Sequence, residues 1–334
     1  MKLLEVSSHS GISLKNILLA TDFSEASAAA LPYAAAISRR YGSELHVAHM
    51  LSPAYIIPSV PDSPVTPDSI HEAARADAQQ QMEALAASLK TLTPHTYVRE
   101  GKVWDGLSEI VRTQQIDLLI VGTHGRTGVG KLLLGSKAEE ILRQAPCPVL
   151  TVGPKVSGRA KLPELAGEEK DIPPVEISVR QIVYATDFSP ESLAAAPFAA
   201  SLAQEFQAKL TLLHVIEKFT DSDRRPKPLE LMLQRLEKLV PEDARLWCSP
   251  RPSVQFGPPA DCILQEALAS RADLIVLGVR AGAGLLGAAT HLPWTTAHKV
   301  IASAHCPVLT APFAAVLQPK EERDGFYEFG EVVP

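Results

Sequence analysis

The chain has 334 residues, about twice the length of a typical domain, so we expect two domains. Hydrophobic residues make up 46% of the sequence and charged residues 21%, which excludes the composition of a disordered chain. The formal net charge of −6 argues against a nucleic-acid-binding surface, because binding to phosphate backbones requires clustered positive charge. Backbone amides can still hold small anions.

No segment of the sequence resembles an export signal or a membrane span. Residues 1–10 have no apolar stretch long enough for a signal peptide. The weakly polar run 274–290 contains Arg280 and is shorter than the ~20 apolar residues that cross a bilayer. The 4 cysteines are scattered without a CxxC pair, which predicts neither a disulfide framework nor a zinc site. We therefore expect a cytoplasmic protein with no membrane partner and no nucleic-acid partner.

An internal duplication organises the chain. The pentapeptide Ala-Thr-Asp-Phe-Ser at 20–24 recurs unchanged 165 residues later. The segments at 117–122 and 147–151 have close matches 156 and 159 residues later, respectively. We predict an N-terminal tail (1–13), a first domain (14–154), a linker (155–178), a second domain (179–313) and a C-terminal tail (314–334).

Each copy alternates short β-branched or leucine-rich runs with longer alanine-rich amphipathic segments, a pattern typical of βα units around a parallel sheet. Ser24 and Ser189 are favourable N-caps for the helix that follows the first strand of each copy. Pro32 and Pro197 fall inside those helices, so we expect a kink or a break there. In the first copy the predicted strands are Asn16–Ala20, Glu44–Met50, Thr96–Glu100, Asp117–Gly122 and Pro148–Val152.

The segment most informative about function is the glycine-rich run from Gly122 to Ser136, after the fourth predicted strand. In an open parallel sheet, ligands bind at the carboxyl ends of the strands, where a glycine-rich loop can turn its amides toward an anion. Gly135 and Ser136 open the next helix, whose N-terminus favours phosphate, so we expect phosphate to bridge loop and helix. Three further side chains could add charge or hydrogen-bond donors: His124, Arg126 and Lys131.

Two familiar nucleotide motifs match only in part. The residues from Gly125 to Lys131 fit G-x-x-x-x-G-K, but Leu132 stands where a P-loop needs Ser or Thr to bind Mg²⁺. In the second copy, residues 282–287 fit G-x-G-x-x-G, yet no acidic residue follows at the spacing needed to hold a ribose. Pro293 also interrupts the helix that should follow. We therefore expect neither a P-loop nor a dinucleotide site.

A third motif accounts for the whole segment. Gly122-x-x-Gly125, nine further residues and then Gly135-Ser136 resemble the G-2x-G-9x-G-(S/T) nucleotide loop of the universal stress protein family. The Ala-Thr-Asp-Phe-Ser and Cys-Pro-Val segments are also similar to that family, and the resemblance covers both predicted domains. It implies an α/β fold of two tandem five-stranded parallel α/β sandwich domains, Rossmann-like and of the adenine nucleotide α-hydrolase-like type. It also implies ATP bound by the loop, and pairing of the domains through their final strands.

The resemblance assigns roles to individual residues. Thr21 and Asp22 would lie against the adenosine moiety, and Met50 would pack near the adenine. The glycine loop would contact the ribose or the phosphates, and Lys137 would either add charge or simply be solvated. Any Mg²⁺ should arrive with the phosphates, because no cluster of residues has metal-ligand spacing. The expected nucleotide-binding residues are Thr21, Asp22, Met50, Val121, Gly122, His124, Gly125, Arg126, Gly135, Ser136 and Lys137.

The second copy keeps Asp187 and Val215 but departs from the nucleotide motif. The segment that begins at Gly278 reads Gly-Val-Arg-Ala in place of G-x-x-G, and Trp294-Thr295 aligns with the Gly-Ser pair of the first copy. We expect Trp294 to crowd the phosphates and Thr295 to cap a helix. The second domain is therefore expected to act mainly as a structural pairing partner.

Three functions are compatible with this sequence. The first is a binding module that uses ATP as a stress-linked switch, and the second is a slow ATPase or phosphotransferase with the same site. The third is a scaffold that binds no nucleotide. No nucleophile with an oriented base is recognisable, so we predict no catalytic residue and at most weak ATP hydrolysis. The protein partner is not identified, and association into a homodimer stays open, because the two domains of one chain can already pair with each other.

Several of these residues also have purely structural interpretations. Asp22 could serve only to bind backbone amides in a tight turn, as its recurrence in the second copy indicates. His49 and His214 end the second strand of each copy and are interpreted as core histidines rather than ligands. Cys147 and Cys306 each precede proline at a strand start, and we expect them to pack rather than react.

Overall fold

Strands and helices alternate throughout the part of the chain that the computed structural model describes, namely residues 12–51, 67–89, 92–123, 134–156, 177–218, 226–240, 248, 250–279 and 292–312. The strands are β1 (Asn16–Ala20), β2 (Glu44–Leu51), β3 (His95–Glu100), β4 (Leu118–Gly122), β5 (Val149–Val152), β6 (Gln181–Ala185), β7 (Lys209–Ile216), β8 (Arg251–Phe256), β9 (Leu274–Val279) and β10 (Val308–Pro312). The helices are α1 (Glu25–Ala28), α2 (Leu31–Tyr41), α3 (Pro67–Ser88), α4 (Val103–Thr113), α5 (Ser136–Gln144), α6 (Pro190–Leu193), α7 (Ala196–Phe206), α8 (Pro226–Glu237), α9 (Pro259–Ala269) and α10 (Leu292–Ser303). The strands predicted for the first copy are confirmed to within one residue at each end.

These strands form one sheet in the order β3-β2-β1-β4-β5-β10-β9-β6-β7-β8. Neighbouring strands run parallel within each half, and the halves join where β5 and β10 pair antiparallel, with Thr151 opposite Val308. The expected α/β fold class and the expected pairing through the final strands are both confirmed. In each half the strand order reverses beside the first strand, so the carboxyl ends of β1 and β4, and of β6 and β9, flank a crevice suited to a ligand.

Both faces of the sheet are buried, which explains the nearly continuous apolar runs in the strands. On one face, Leu14 and Tyr33 of the first domain belong to the same apolar cluster as Val179 and Phe198 of the second. Hydroxyl groups also cross the junction, because Thr151 Oγ1 donates to the Val308 carbonyl at 3.0 Å and the equivalent residue of β10 donates back to β5 at 3.3 Å. The two domains therefore share one core.

The helix after the first strand is interrupted in both domains. Ser24 caps α1 by accepting a hydrogen bond from the Ser27 amide at 3.2 Å, and α1 ends after one turn. Helix α2 then begins with Pro32 at its second position, where the missing N–H of proline has no intrahelical acceptor to lose. Ser189 and Pro197 repeat this arrangement in α6 and α7. The predicted N-caps and the predicted breaks are confirmed.

Parts of the predicted organisation lie outside the described residues. The linker is described only at its two ends and the N-terminal tail only at residues 12 and 13, and the predicted C-terminal tail lies outside the described residues, so their extents stay predictions. Among the helices that the structure describes, none combines the length and apolar character needed to cross a membrane.

Candidate functional site

The first candidate residues lie in the turn after β1. The Thr21 amide donates to the Ala48 carbonyl at 2.9 Å, which extends the pairing of β1 with β2. Asp22 Oδ1 accepts hydrogen bonds from the amide of Ser24 at 3.0 Å and from its hydroxyl at 2.5 Å. Phe23, between them, has a φ of 59°, in the left-handed region that side chains rarely adopt. The turn therefore holds Asp22 at the carboxyl edge of the sheet, and the backbone-binding role anticipated for its carboxylate is confirmed.

A histidine supports this turn in each domain. His49 is buried, its Nδ1 lies 2.8 Å from the Thr21 carbonyl oxygen, and its ring packs 4.5 Å from that of Phe23. In the second domain His214 Nδ1 lies 2.8 Å from the Thr186 carbonyl oxygen. The interpretation of His49 as a core histidine is confirmed, whereas His214 makes the same contact with its turn but is only partly buried.

The end of β4 and the start of α5 are tied together. The Thr123 amide donates to the Val152 carbonyl at 3.0 Å, and the Gly135 amide donates to the Thr123 carbonyl at 2.9 Å. These bonds bring both ends of the glycine-rich segment to one place at the carboxyl edge of the sheet. His124, Gly125 and Arg126 lie outside the described residues.

Helix α5 starts as the sequence predicts. Gly135 is its N-cap and makes no side-chain capping bond, and Ser136 is the first helical residue. Helix N-termini carry unsatisfied amides and a partial positive charge, so an uncapped start favours an anionic ligand. Lys137, in the first turn, is exposed, and its Nζ lies 3.9 Å from Glu140 Oε2. Such a weak exposed pair leaves the ammonium group able to meet a phosphate.

The remaining candidate residues are Val121, Gly122 and Met50, which lie beside buried apolar side chains at the same edge of the sheet. Val121 is buried near the end of β4, and Gly122 ends that strand opposite Val152. Met50 is 8% exposed near the end of β2 and belongs to the same apolar cluster as Val121 and Leu107 of α4. The described candidate residues therefore share one edge: the ends of β1, β2 and β4 and the beginning of α5.

The second domain has a cavity of about 360 Å³ at the corresponding edge. Its walls include Thr186, Val215 and Gly278, together with three acidic side chains. The acidic residues are Asp187, Glu191 and Glu217. The repeat aligns Val215 with Met50 and Gly278 with Gly122, so the cavity marks the position that the candidate residues occupy in the first domain.

Comparison with known proteins agrees with this architecture. The family model described as "Universal stress protein family" matches residues 13–153 and 178–312, which together span most of the chain. The chain belongs to the universal stress protein family. Because the model matches twice, it is a tandem, two-domain member.

Individual relatives agree with the family assignment. A universal stress protein of Mycolicibacterium smegmatis is 26% identical over 305 residues, covering 88% of this chain and 95% of the relative. One from Methanocaldococcus jannaschii is 29% identical over 140 residues, covering 41% of this chain and 81% of the relative. The crystal structure of a universal stress protein from Archaeoglobus fulgidus covers 90% of this chain and 100% of its own, with a TM-score of 0.63 at 19% identity. That similarity supports the fold.

The two universal stress protein domains differ in charge at the carboxyl ends of their strands. Glu191 stands where the first domain has Ala26, and Thr296 stands where it has Lys137. Burial disfavours the ionised form of Asp187, but hydrogen bonds from Ser189 and Ser192 outweigh it and lower its pKa. Acidic side chains therefore line the cavity of the second domain.

Close packing explains why the second domain has glycine at position 278. A Cβ atom at Gly278 would lie 2.0 Å from the Glu191 carbonyl oxygen and 2.3 Å from Ser192 Cα, so glycine is needed for α6 to pack on β9.

Helix α10 starts earlier than the sequence predicts. The expectation that Thr295 caps a helix is wrong, because α10 already begins at Leu292 and Thr295 lies within it. Pro293, at the second helical position, is compatible with the earlier start, because its fixed φ suits the first turn. The side chain of Trp294 lies outside the described part.

The described cysteines are buried, as expected for packing residues. Burial raises the pKa of the Cys147 thiol to about 12 and that of the Cys248 thiol to about 11, so the reactive thiolate is disfavoured at both. Cys306 is likewise buried at the start of β10. Within the described ranges, no group of three or more His, Cys, Asp or Glu side chains is placed to hold a metal ion.

Two contacts of the first-domain site are not predicted by the sequence analysis. Thr21 Oγ1 lies 3.1 Å from the hydroxyl of Ser27, and the same pair recurs at 2.8 Å in the second domain as Thr186 and Ser192. Aligning the repeats more closely would have found this pair, since all four residues match. The packing of Met50 on Gly106 of α4 gives no such signal, because the second copy has different residues at both positions.

Proposed function

We propose that the first domain binds ATP, with Mg²⁺ coordinated by its phosphates, and that this tandem universal stress protein is a stress-linked nucleotide switch. The observation that carries the proposal is the start of α5, where Gly135, a cap residue with no side chain, places the helix N-terminus at the carboxyl edge of the sheet. The spacing of the glycines that lead to it is that of the family's nucleotide loop.

The chain supplies complementary groups for each part of the nucleotide. Asp22 offers a carboxylate to the ribose hydroxyls, and Thr21 and Met50 lie on the side assigned to adenosine. Ser136 offers a backbone amide to the phosphates, Gly122 and Gly135 are assigned to the same contact by the family resemblance, and Lys137 offers a positive charge. Gly125, with His124 and Arg126, is assigned to the same loop on its sequence alone, and Val121 is buried near the end of β4. Bound Mg²⁺ would neutralise part of the triphosphate charge.

Binding at the edge where Gly122 and Ser136 lie would change the surface presented to a protein partner. The second domain contributes the paired strand β10 and the shared core, while its acidic cavity disfavours a triphosphate. The scattered, buried cysteines are consistent with the reducing cytoplasm as its location. Slow ATP hydrolysis or phosphotransfer at the same site is the alternative function, and measurement of phosphate release separates it from binding alone.

The test compares two matched variants by calorimetric titration with ATP·Mg²⁺. Asp22→Asn and Asp187→Asn each keep an oxygen that can accept from the following serine amide, at 3.0 and 2.9 Å in the native chain, so their effects on folding should be similar. Only Asp22→Asn removes a charged acceptor from the proposed site. We expect it to weaken ATP binding about 10- to 100-fold, as for loss of a hydrogen bond to a charged group.

The Asp187→Asn variant should bind ATP as the wild type does. Equal weakening in both variants would show that the carboxylates act only through the fold. Absence of binding in wild-type protein stripped of nucleotide would refute the proposal and leave the scaffold function.

A further inference from the structure

Met50 fills a place that a side chain on α4 would otherwise occupy. A Cβ atom built on Gly106 would lie 2.0 Å from Met50 Cε and 2.8 Å from Met50 Sδ. Real Cβ atoms never approach so closely, so the thioether of Met50 rests on the bare backbone of the helix. Glycine within a helix is unfavourable by itself, and this contact is a physical reason for its presence at position 106.

The second domain has a different pair of residues at these two positions. The repeat aligns Met50 with Val215 and Gly106 with Cys262. The strand residue is therefore smaller than in the first domain, and the helix residue is larger. Opposite changes in size of this kind are expected where two positions pack against each other.

The strand member of the pair lies at the wall of the ligand site. Val215 lines the cavity of the second domain, and Cys262 is a buried residue of α9. By the repeat, Met50 has the corresponding position in the first domain. Leu107 and Ile110 of α4 are fully buried, so a Met50 side chain displaced from Gly106 cannot move deeper into the core. A displaced Met50 side chain would therefore move toward the ligand site.

We propose that Gly106 is a specificity-determining residue: it lets Met50 lie back on α4 and thereby gives the base-binding end of the first domain the depth needed for a purine. This inference rests on the proposed ATP function of that domain. Gly106 acts through Met50 and is a positioning residue.

The experiment uses the full chain and three variants: Gly106→Ala, Met50→Val, and the two combined. Alanine favours the helix, so Gly106→Ala should fold, with its new methyl group pushing Met50 into the site. We expect its ATP affinity to fall about tenfold, which corresponds to a modest steric cost at the site. Met50→Val shortens the displaced side chain, so the double variant should recover ATP affinity to within about threefold of the Met50→Val variant. Cys262→Ala, at the matched position of the second domain, should bind ATP like the wild type.

Thermal unfolding of each variant shows whether the chain remains folded during the titration. Wild-type binding with unchanged affinity in Gly106→Ala would overturn the role of Gly106 and leave the ATP proposal intact. Failure of Met50→Val to rescue Gly106→Ala would also overturn it, because the loss would then not act through Met50. Absence of ATP binding in the wild type would overturn the proposed function itself, and with it the inference.

Discussion

Replacing Gly278 by alanine should destabilise the protein more than replacing an exposed glycine does. The new Cβ atom would lie 2.0, 2.3 and 2.5 Å from three atoms, all of them in the backbone of Glu191 and Ser192. No rotation of a side chain can relieve contacts with backbone atoms, so α6 must move away from β9. A shift of α6 also strains the bond in which the buried Tyr184 hydroxyl donates to the Ser192 carbonyl at 2.8 Å.

The expected magnitude follows from these contacts. Overpacking of a rigid core costs about 1–3 kcal/mol or somewhat more, and three simultaneous backbone clashes belong at the upper end. Loss of the buried tyrosine bond adds about 1 kcal/mol. We therefore expect Gly278→Ala to lower the free energy of unfolding by about 3–5 kcal/mol.

Chemical denaturation followed by circular dichroism measures this loss, with Gly42→Gln as the matched control. Gly42 has a φ of 64° and open space around its Cβ position, and Gln207 occupies the equivalent left-handed position of the second domain with a φ of 51°. Gly42→Gln should therefore lower the free energy of unfolding by only about 1 kcal/mol, which is the cost of placing a residue with a side chain in the left-handed conformation. A loss for Gly278→Ala no larger than that of the control would refute the steric reasoning.

Two further predictions concern pH and the domain junction. Burial, and to a smaller extent the charge of His95, lowers the pKa of His46. The folded state therefore favours the neutral imidazole of His46. The stability that this preference provides is present above about pH 6.5, the ordinary pKa of histidine, and is lost as the pH falls through the lowered pKa. His46→Phe should reduce this acid-side loss when unfolding free energy is measured between about pH 7.5 and 5, and an unchanged slope would contradict the assignment. Thr151→Val and Thr310→Val each remove a buried hydroxyl that bonds across the junction, so each should cost about 1 kcal/mol in denaturant unfolding. A cost confined to one of the two would contradict the pseudo-twofold pairing.

Much of the fold could be predicted because its signals are local and repeated. The alternation of apolar runs and amphipathic segments gave the strands of the first domain, and Ser24 and Pro32 gave the start and break of the helix after β1. The family resemblance, rather than the residues, predicted that the domains pair through their final strands, and the structure shows that this pairing is antiparallel. No local property of β5 or β10 distinguishes them as partners.

The site was harder to predict because its decisive contacts are not local. Gly106 and Met50 are far apart in sequence, and only their packing shows that each explains the other. The start of α10 was misplaced at Thr295 because the alignment with Ser136 outweighed the signal of Pro293. The negative charge of the second cavity depends on Glu191 and on neighbours that meet only in the folded chain.

The most direct test of the account is to locate bound ATP on the chain. Photolabelling of the full-length protein with 8-azido-ATP and Mg²⁺, followed by peptide mapping, identifies the residues beside the base. The account predicts labelling that excess ATP suppresses, in peptides from residues 13–153, the first family match, around Met50 or the end of β4. Labelling within residues 178–312, or labelling that ATP does not suppress, would contradict the assignment of the nucleotide site to the first domain.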